Sequence, residues 1–128
     1  MAGTATVTTE SWREDELYIV LIDWLTETGG AVDATIASAI RGTIERFSFT
    51  PDAAGTQPTD QYDVTLIDAA GIDILTAKGA NLSNTTATNH LPIDGSPVLP
   101  FATAGVLTLA VTNAGAAKGG EIRLWIRR

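Results

Sequence analysis

Between Leu17 and Thr26 the chain reads LYIVLIDWLT, and both alternating rows of this run are apolar: Leu17, Ile19, Leu21 and Leu25 on one, Tyr18, Val20, Ile22 and Trp24 on the other. Successive side chains of a strand point to opposite faces, so such a run is a strand covered on both sides, or one whose outer face meets another subunit. Asp23 is the single interruption. A carboxylate inside so apolar a strand must find a donor or reach water at the sheet edge, and we read it as solvated or hydrogen-bonded.

The same two-residue period recurs along the chain. In QYDVTLIDAAGIDILTAKGA, from Gln61 to Ala80, it predicts a hairpin. Its parts are a strand from Tyr62 to Ile67 with Tyr62, Val64 and Leu66 inward, a turn on Asp68-Ala69-Ala70-Gly71, and a returning strand from Ile72 to Ala77. This hairpin is expected at the centre of the fold. Gly42 to Thr50 divides into Thr43, Glu45, Phe47 and Phe49 on one row, with the phenylalanines on the core side, and Ile44, Arg46, Ser48 and Thr50 on the other. Val106 to Thr112 points Leu107, Leu109 and Val111 one way. Glu121 to Arg127 points Ile122, Leu124 and Ile126 inward and Arg123, Trp125 and Arg127 outward, and with Asn113 to Gly120 as the turn these two runs predict a second hairpin.

Ala31 to Ile40 fits a helix, since alanine is abundant and Ile36 and Ile40 lie four apart, and fits a strand nearly as well through Ala34, Ile36, Ser38 and Ile40. The strand is preferred because its neighbours are strands. Thr28-Gly29-Gly30 makes a turn, and Pro51 to Gln61, with two prolines around Gly55, a surface connection. Lys78 to Pro100, with the polar tract NLSNTTATNH, is the longest irregular region; loops of that length are functional, interfacial or disordered.

The expected fold is therefore all-β, a β-sandwich or jelly roll of about six to eight antiparallel strands, with an open barrel as the other option. Richness in Ala, Val, Ile, Leu and Thr with few aromatics agrees with strands. The 128 residues suit one domain. Residues 17–128 would form it, preceded by residues 1–16 as an arm or an edge strand.

Several function classes recede. With 15 acidic against 8 basic residues, a formal charge of −7, nucleic-acid binding is not expected. Without cysteine there is no disulfide, zinc-thiolate site or thiol nucleophile. No segment reads as a secretory leader or as a membrane span of ~18–20 apolar residues, so a soluble protein is expected.

Catalytic and ligand chemistry is sparse. His90, the one histidine, has Ser83 and Asp94 near it in sequence but no nucleophile elbow, and is read as a solvated loop residue. Asp68, Gly71 and Asp73, with Asp60 and Asp63 nearby, resemble a calcium loop superficially, but a type I turn accounts for Asp68 and Gly71. GAAKGGE lacks the order of a phosphate loop and joins two strands. Paired carboxylates for glycoside hydrolysis would need an aromatic cleft, and Trp12, Trp24 and Trp125 sit in different segments. No cofactor, metal or catalytic residue is expected. What remains is an interface reading of Trp12, Trp24, Arg123, Trp125 and Arg127, since Trp and Arg are enriched in protein contacts, with sugar stacking as the other role for an outward Trp.

The stretch P-T-x-x-Y-D-V-T-L-x-D-x-x-G-x-D-x-L from Pro58 to Leu75, and the closing L-x-V-x-N-A-G-x-x-x-G from Leu109 to Gly119, resemble small virion structural proteins of tailed bacteriophages, of the capsid-decoration, head-fibre or minor structural type. The resemblance spans roughly residues 41–128 and is weaker over residues 1–40. It implies an all-β fold, symmetric homo-oligomers, often trimers, and a non-enzymatic role on the virion surface against capsid or other virion proteins, after assembly in the host bacterial cytoplasm. It carries over no binding residues.

Overall fold

Alternating apolar rows leave backbone hydrogen bonds to be satisfied between chains of strand, and the computed structural model pairs them in two antiparallel sheets. It describes residues 3–13, 17–36, 41–75, 77–90, 100–102 and 107–127. Among these the strands are β1 (Thr4–Arg13), β2 (Leu17–Leu25), β3 (Val32–Ile36), β4 (Arg41–Pro51), β5 (Asp63–Ile67), β6 (Thr88–His90), β7 (Pro100–Ala102), β8 (Leu107–Thr112) and β9 (Gly119–Arg127). The protein is all-β: the described residues contain one 3-10 turn, at Ala54–Thr56, and no α-helix. No helix among them is long and apolar enough to cross a membrane.

The larger sheet has the order β1-β2-β9-β4-β6, with β7 also on the outer side of β4; the smaller has the order β3-β8-β5. One buried cluster draws on both. Ile22, Trp24, Phe47, Phe49, Ile122, Leu124 and Ile126 come from the larger sheet, and Val32, Ile36, Val64, Leu66, Leu107, Leu109 and Val111 from the smaller. Across it the rings of Trp24 and Tyr62 meet at 5.6 Å between centroids, tilted by 48°. Burial pushes the Tyr62 hydroxyl up to about 12, and the negative charge of Asp52 adds to the effect.

The chain's first described segment is an edge strand, running antiparallel to β2 from Thr4 opposite Leu25 to Arg13 opposite Leu17. Ala5 and Val7 pack on the core, while Thr4, Thr6 and Thr8 are exposed. Val32–Ile36 is a strand rather than helix; Ala37 to Ile40, the rest of that segment, lies outside the described residues.

Three sequence expectations are corrected. First, β8 and β9 are not a hairpin. β8 lies between β3 and β5, and β9 between β2 and β4, so residues 113–118 carry the chain from one sheet to the other. Thr26, at the end of β2, pins this crossing: its hydroxyl donates to the Gly115 carbonyl at 2.6 Å and accepts the Lys118 N–H at 2.8 Å. The chain reverses through left-handed conformations at Asn113, Gly115 and Ala117. Either strand could satisfy its apolar row with several neighbours, which is why alternation did not choose the partner.

Second, the described residues of Ile72 to Ala77 form no strand, and the Tyr62-to-Leu75 segment is not central. The turn forms as expected, the Gly71 N–H reaching the Asp68 carbonyl at 3.0 Å with Gly71 at φ +83°. After one bridge, Ile67 to Asp73, the chain turns away because the Asp73 carboxylate accepts the N–H groups of Leu66, Leu75 and Ala77 at 3.0–3.1 Å. A short acceptor that captures backbone donors two and four residues ahead competes with a ladder. Ile74 and Leu75 are instead both buried, and the returning chain covers the outer edge of β5, where Val64 donates to the Gly79 carbonyl at 2.7 Å.

Third, Ile44 faces the core with Phe47 and Phe49. A β-bulge between Ile44 and Arg46 sets two residues of β4 against one of β9, which flips the rows on either side of Glu45. The region after Lys78 also has more structure than a loop, for it contains β6 and β7 along the outer side of β4; residues 91–99 lie outside the described ones.

Candidate protein-contact face

The row that alternation sends outward from β9 is Glu121, Arg123, Trp125 and Arg127, and register places it beside Ile19, Leu21 and Asp23 of β2. Directly opposite residues share a face, so Ile19 lies beside Trp125, Leu21 beside Arg123, and Asp23 beside Glu121. On the other flank the bulge in β4 brings Arg46 opposite Trp125. The guanidinium of Arg46 lies 4.4 Å from the centroid of the indole and that of Arg123 5.8 Å away. Two cations on one electron-rich ring hold it in place at the surface.

Each cation also has a polar anchor. Arg46 donates through Nε to Asn89 Oδ1 at 2.8 Å, Arg123 reaches Glu121 at 3.1 Å, and Arg127 reaches Glu45 at 2.8 Å. Ile19, opposite Trp125 and outside the core cluster, is only 5% exposed. Leu21 is half-buried and Leu25, at the far end of the strand, is exposed. The doubly apolar run of β2 thus divides into a core row and a surface row.

Of the five residues the sequence nominated, three meet here: Arg123, Trp125 and Arg127. Trp24 is corrected to a core residue, 2% exposed, because it shares the inward row with Tyr18, Val20 and Ile22. Trp12 stands at the register shift of β1 between Ser11 and Arg13, and its side chain lies outside the described residues. Arg46 was missed as a member of the face. Its outward row was visible in the sequence, but its position over Trp125 required the strand order and the bulge.

Asp23 is exposed, as a solvated carboxylate should be, and among the described residues it has no hydrogen-bond or ion-pair partner. Partial burial, and then the negative charge of Asp52, raise its pKa above the ordinary aspartate value.

The other sequence candidates are occupied by structural duties. Asp68 accepts the N–H groups of Ala70 and Ile72, Asp63 those of Asn81 and the Asn113 side chain, and Asp60 that of Asn84. These carboxylates staple loops, and no group of three or more His, Asp or Glu among the described residues is arranged to hold a metal ion. Ser83 accepts the N–H groups of Thr85 and Thr86. His90 lies in β6 opposite Phe47, its side chain outside the described residues, as is Asp94.

Fold and face together define an all-β protein with an arginine-framed tryptophan on the open side of its larger sheet. No protein-family model, curated protein or solved structure matches the chain.

Proposed function

We propose that the chain is a non-enzymatic structural protein of a tailed-bacteriophage particle, a β-sandwich or jelly roll that decorates or stabilises the capsid through protein contacts. The observation that carries the reading is the outward face around Trp125. A large ring framed by Arg46 and Arg123, beside the buried Ile19 and the half-buried Leu21, has the composition of a contact hot spot. The resemblance of Pro58–Leu75 and Leu109–Gly119 to small virion proteins supplies the setting: a homo-oligomer on the virion, with capsid or other virion proteins as partners.

A carbohydrate-binding module or receptor-binding tip is the second reading, favoured by Trp125 lying on the outward row of a sheet. Sugar platforms use more than one exposed ring, and among the described residues this face carries Trp125 alone. Mass spectrometry of purified particles from the phage encoding the chain tests the first reading. Recovery in a fixed ratio to the capsid protein supports it. Absence from the particles, or a strict monomer that gives clear hits on a glycan array, overturns it.

A further inference from the structure

We propose that the outward face of the larger sheet docks on the same face of a second copy, about a two-fold axis parallel to the sheets and passing over Arg123. The pairing rests on the reading of the Trp125 face as a protein-contact face, and it names the partner.

Outward from β9 come Arg127, Trp125, Arg123 and Glu121, and Asp23 stands beside Glu121 while Arg46 stands beside Trp125. Asp23 and Glu121 therefore share one level of the face, and Arg46 stands two outward positions away, at the level of Trp125. The Asp23/Glu121 and Arg46/Trp125 levels are four residues apart, about 13 Å along a strand.

Among the described residues, two of these charges have no ion-pair partner. Arg123 and Arg127 are paired with Glu121 and Glu45. Arg46 has the neutral Asn89 as its hydrogen-bond partner, and Asp23 has no partner among the described residues. Asp23 moreover stands directly opposite Glu121, with Asp52 close enough to act on it, and like charges in such a cross-strand pair are unfavourable.

Arg123 lies between Asp23 and Arg46 on the sheet. A two-fold axis above it exchanges the two positions, so that Asp23 of each copy meets the partner's Arg46. One rotation satisfies both uncompensated charges twice. It also buries Leu21 and Trp125 against the opposing sheet, and the exposed Thr6 and Thr8 on the flank are small enough to permit close approach. A self-complementary patch of this kind makes a closed pair, whereas a three-fold ring uses two different patches.

Reversing the charges singly and together tests this. Sedimentation equilibrium of the full chain is expected to show a dimer, with Asp23→Arg and Arg46→Asp each weakening it at least about tenfold through like-charge contacts. An equimolar mixture of the two variants is expected to recover dimers, because each then presents the charge the other lacks; Asp23→Arg/Arg46→Asp in one chain recovers them as well. Circular dichroism checks that each variant folds, and Asp23→Asn and Arg46→Gln serve if a reversal does not. A wild-type monomer, or single variants that dimerise normally and a mixture without gain, overturns the pairing. A trimer by mass overturns the two-fold while leaving the virion reading intact, and absence from particles overturns that reading whatever the mass.

Discussion

Trp24 and Trp125 lie in adjacent strands of one sheet and do opposite work. Trp24 points into the core, where it is 2% exposed and meets the tilted ring of Tyr62. Trp125 points out, framed by Arg46 and Arg123. The difference is one of parity along the strand: Trp24 shares the inward row with Ile22, and Trp125 lies opposite Ile19 on the outward row. Composition alone treats the two as equivalent. The energetics do not, because the inner ring is held by close packing all round and the outer by two cations and one aliphatic neighbour.

The largest expected effect is on the inner face. Trp24→Ala should cost about 3–5 kcal/mol of unfolding free energy in chemical denaturation, the range for emptying a large aromatic from a core. Loss of less than about 1 kcal/mol would show that the two sheets do not share the core described.

Next comes Gly120→Ala. A Cβ there would lie 2.5 Å from Cζ2 of Trp24 and 3.1 Å from the Thr50 carbonyl, so the glycine makes room for the ring. Overpacking of this kind costs about 1–3 kcal/mol and should appear as a lowered denaturation midpoint.

On the outer face, Trp125→Ala should cost the monomer only about 0.5–1 kcal/mol, the value of an exposed cation–π contact, while abolishing self-association. An equal loss of stability in Trp24→Ala and Trp125→Ala would erase the distinction between the faces.

The smallest effects at neutral pH are electrostatic. Tyr62 has a folded pKa of about 12, above its ordinary value near 10, so its contribution to stability is complete below about pH 10 and is lost as pH rises toward 12. Tyr62→Phe should remove that part of the alkaline unfolding curve, followed by circular dichroism. The pKa of Asp23 is also raised, so the folded state is most favoured while the carboxyl is protonated and loses stability as pH rises through the folded value. Asp23→Asn should therefore stabilise the monomer slightly at neutral pH and leave it unchanged at acid pH below the unfolded value.

Much of the candidate face was legible from alternation. Arg123, Trp125 and Arg127 had to share a row opposite Ile122, Leu124 and Ile126, and Asp23 had to find a donor or reach water. The placing of Trp24 in the interface set failed because a run apolar on both rows gives no sign of which row turns inward. Arg46 joined the face through the bulge at Glu45, where an extra residue re-aims the strand, and no local pattern in GTIERFSFT marks that insertion.

The sequence by itself determined that the chain is built of strands, where most of them run, and which side chains within each share a row, because a period of two follows from the geometry of one extended chain. It also determined the Asp68–Gly71 turn, which needs only local donors and a glycine at positive φ. Only the tertiary structure decided which strands pair. β8 and β9 are adjacent in sequence yet belong to different sheets, and the chain leaves β5 after one bridge because Asp73 takes its backbone donors. Pairing is a choice among many equally apolar rows, and side-chain capture, bulges and the Thr26 anchor at the sheet crossing make that choice only once the segments are together. The same assembly sets Arg46 over Trp125 and leaves Asp23 beside Glu121, so the face exists only in the folded sheet.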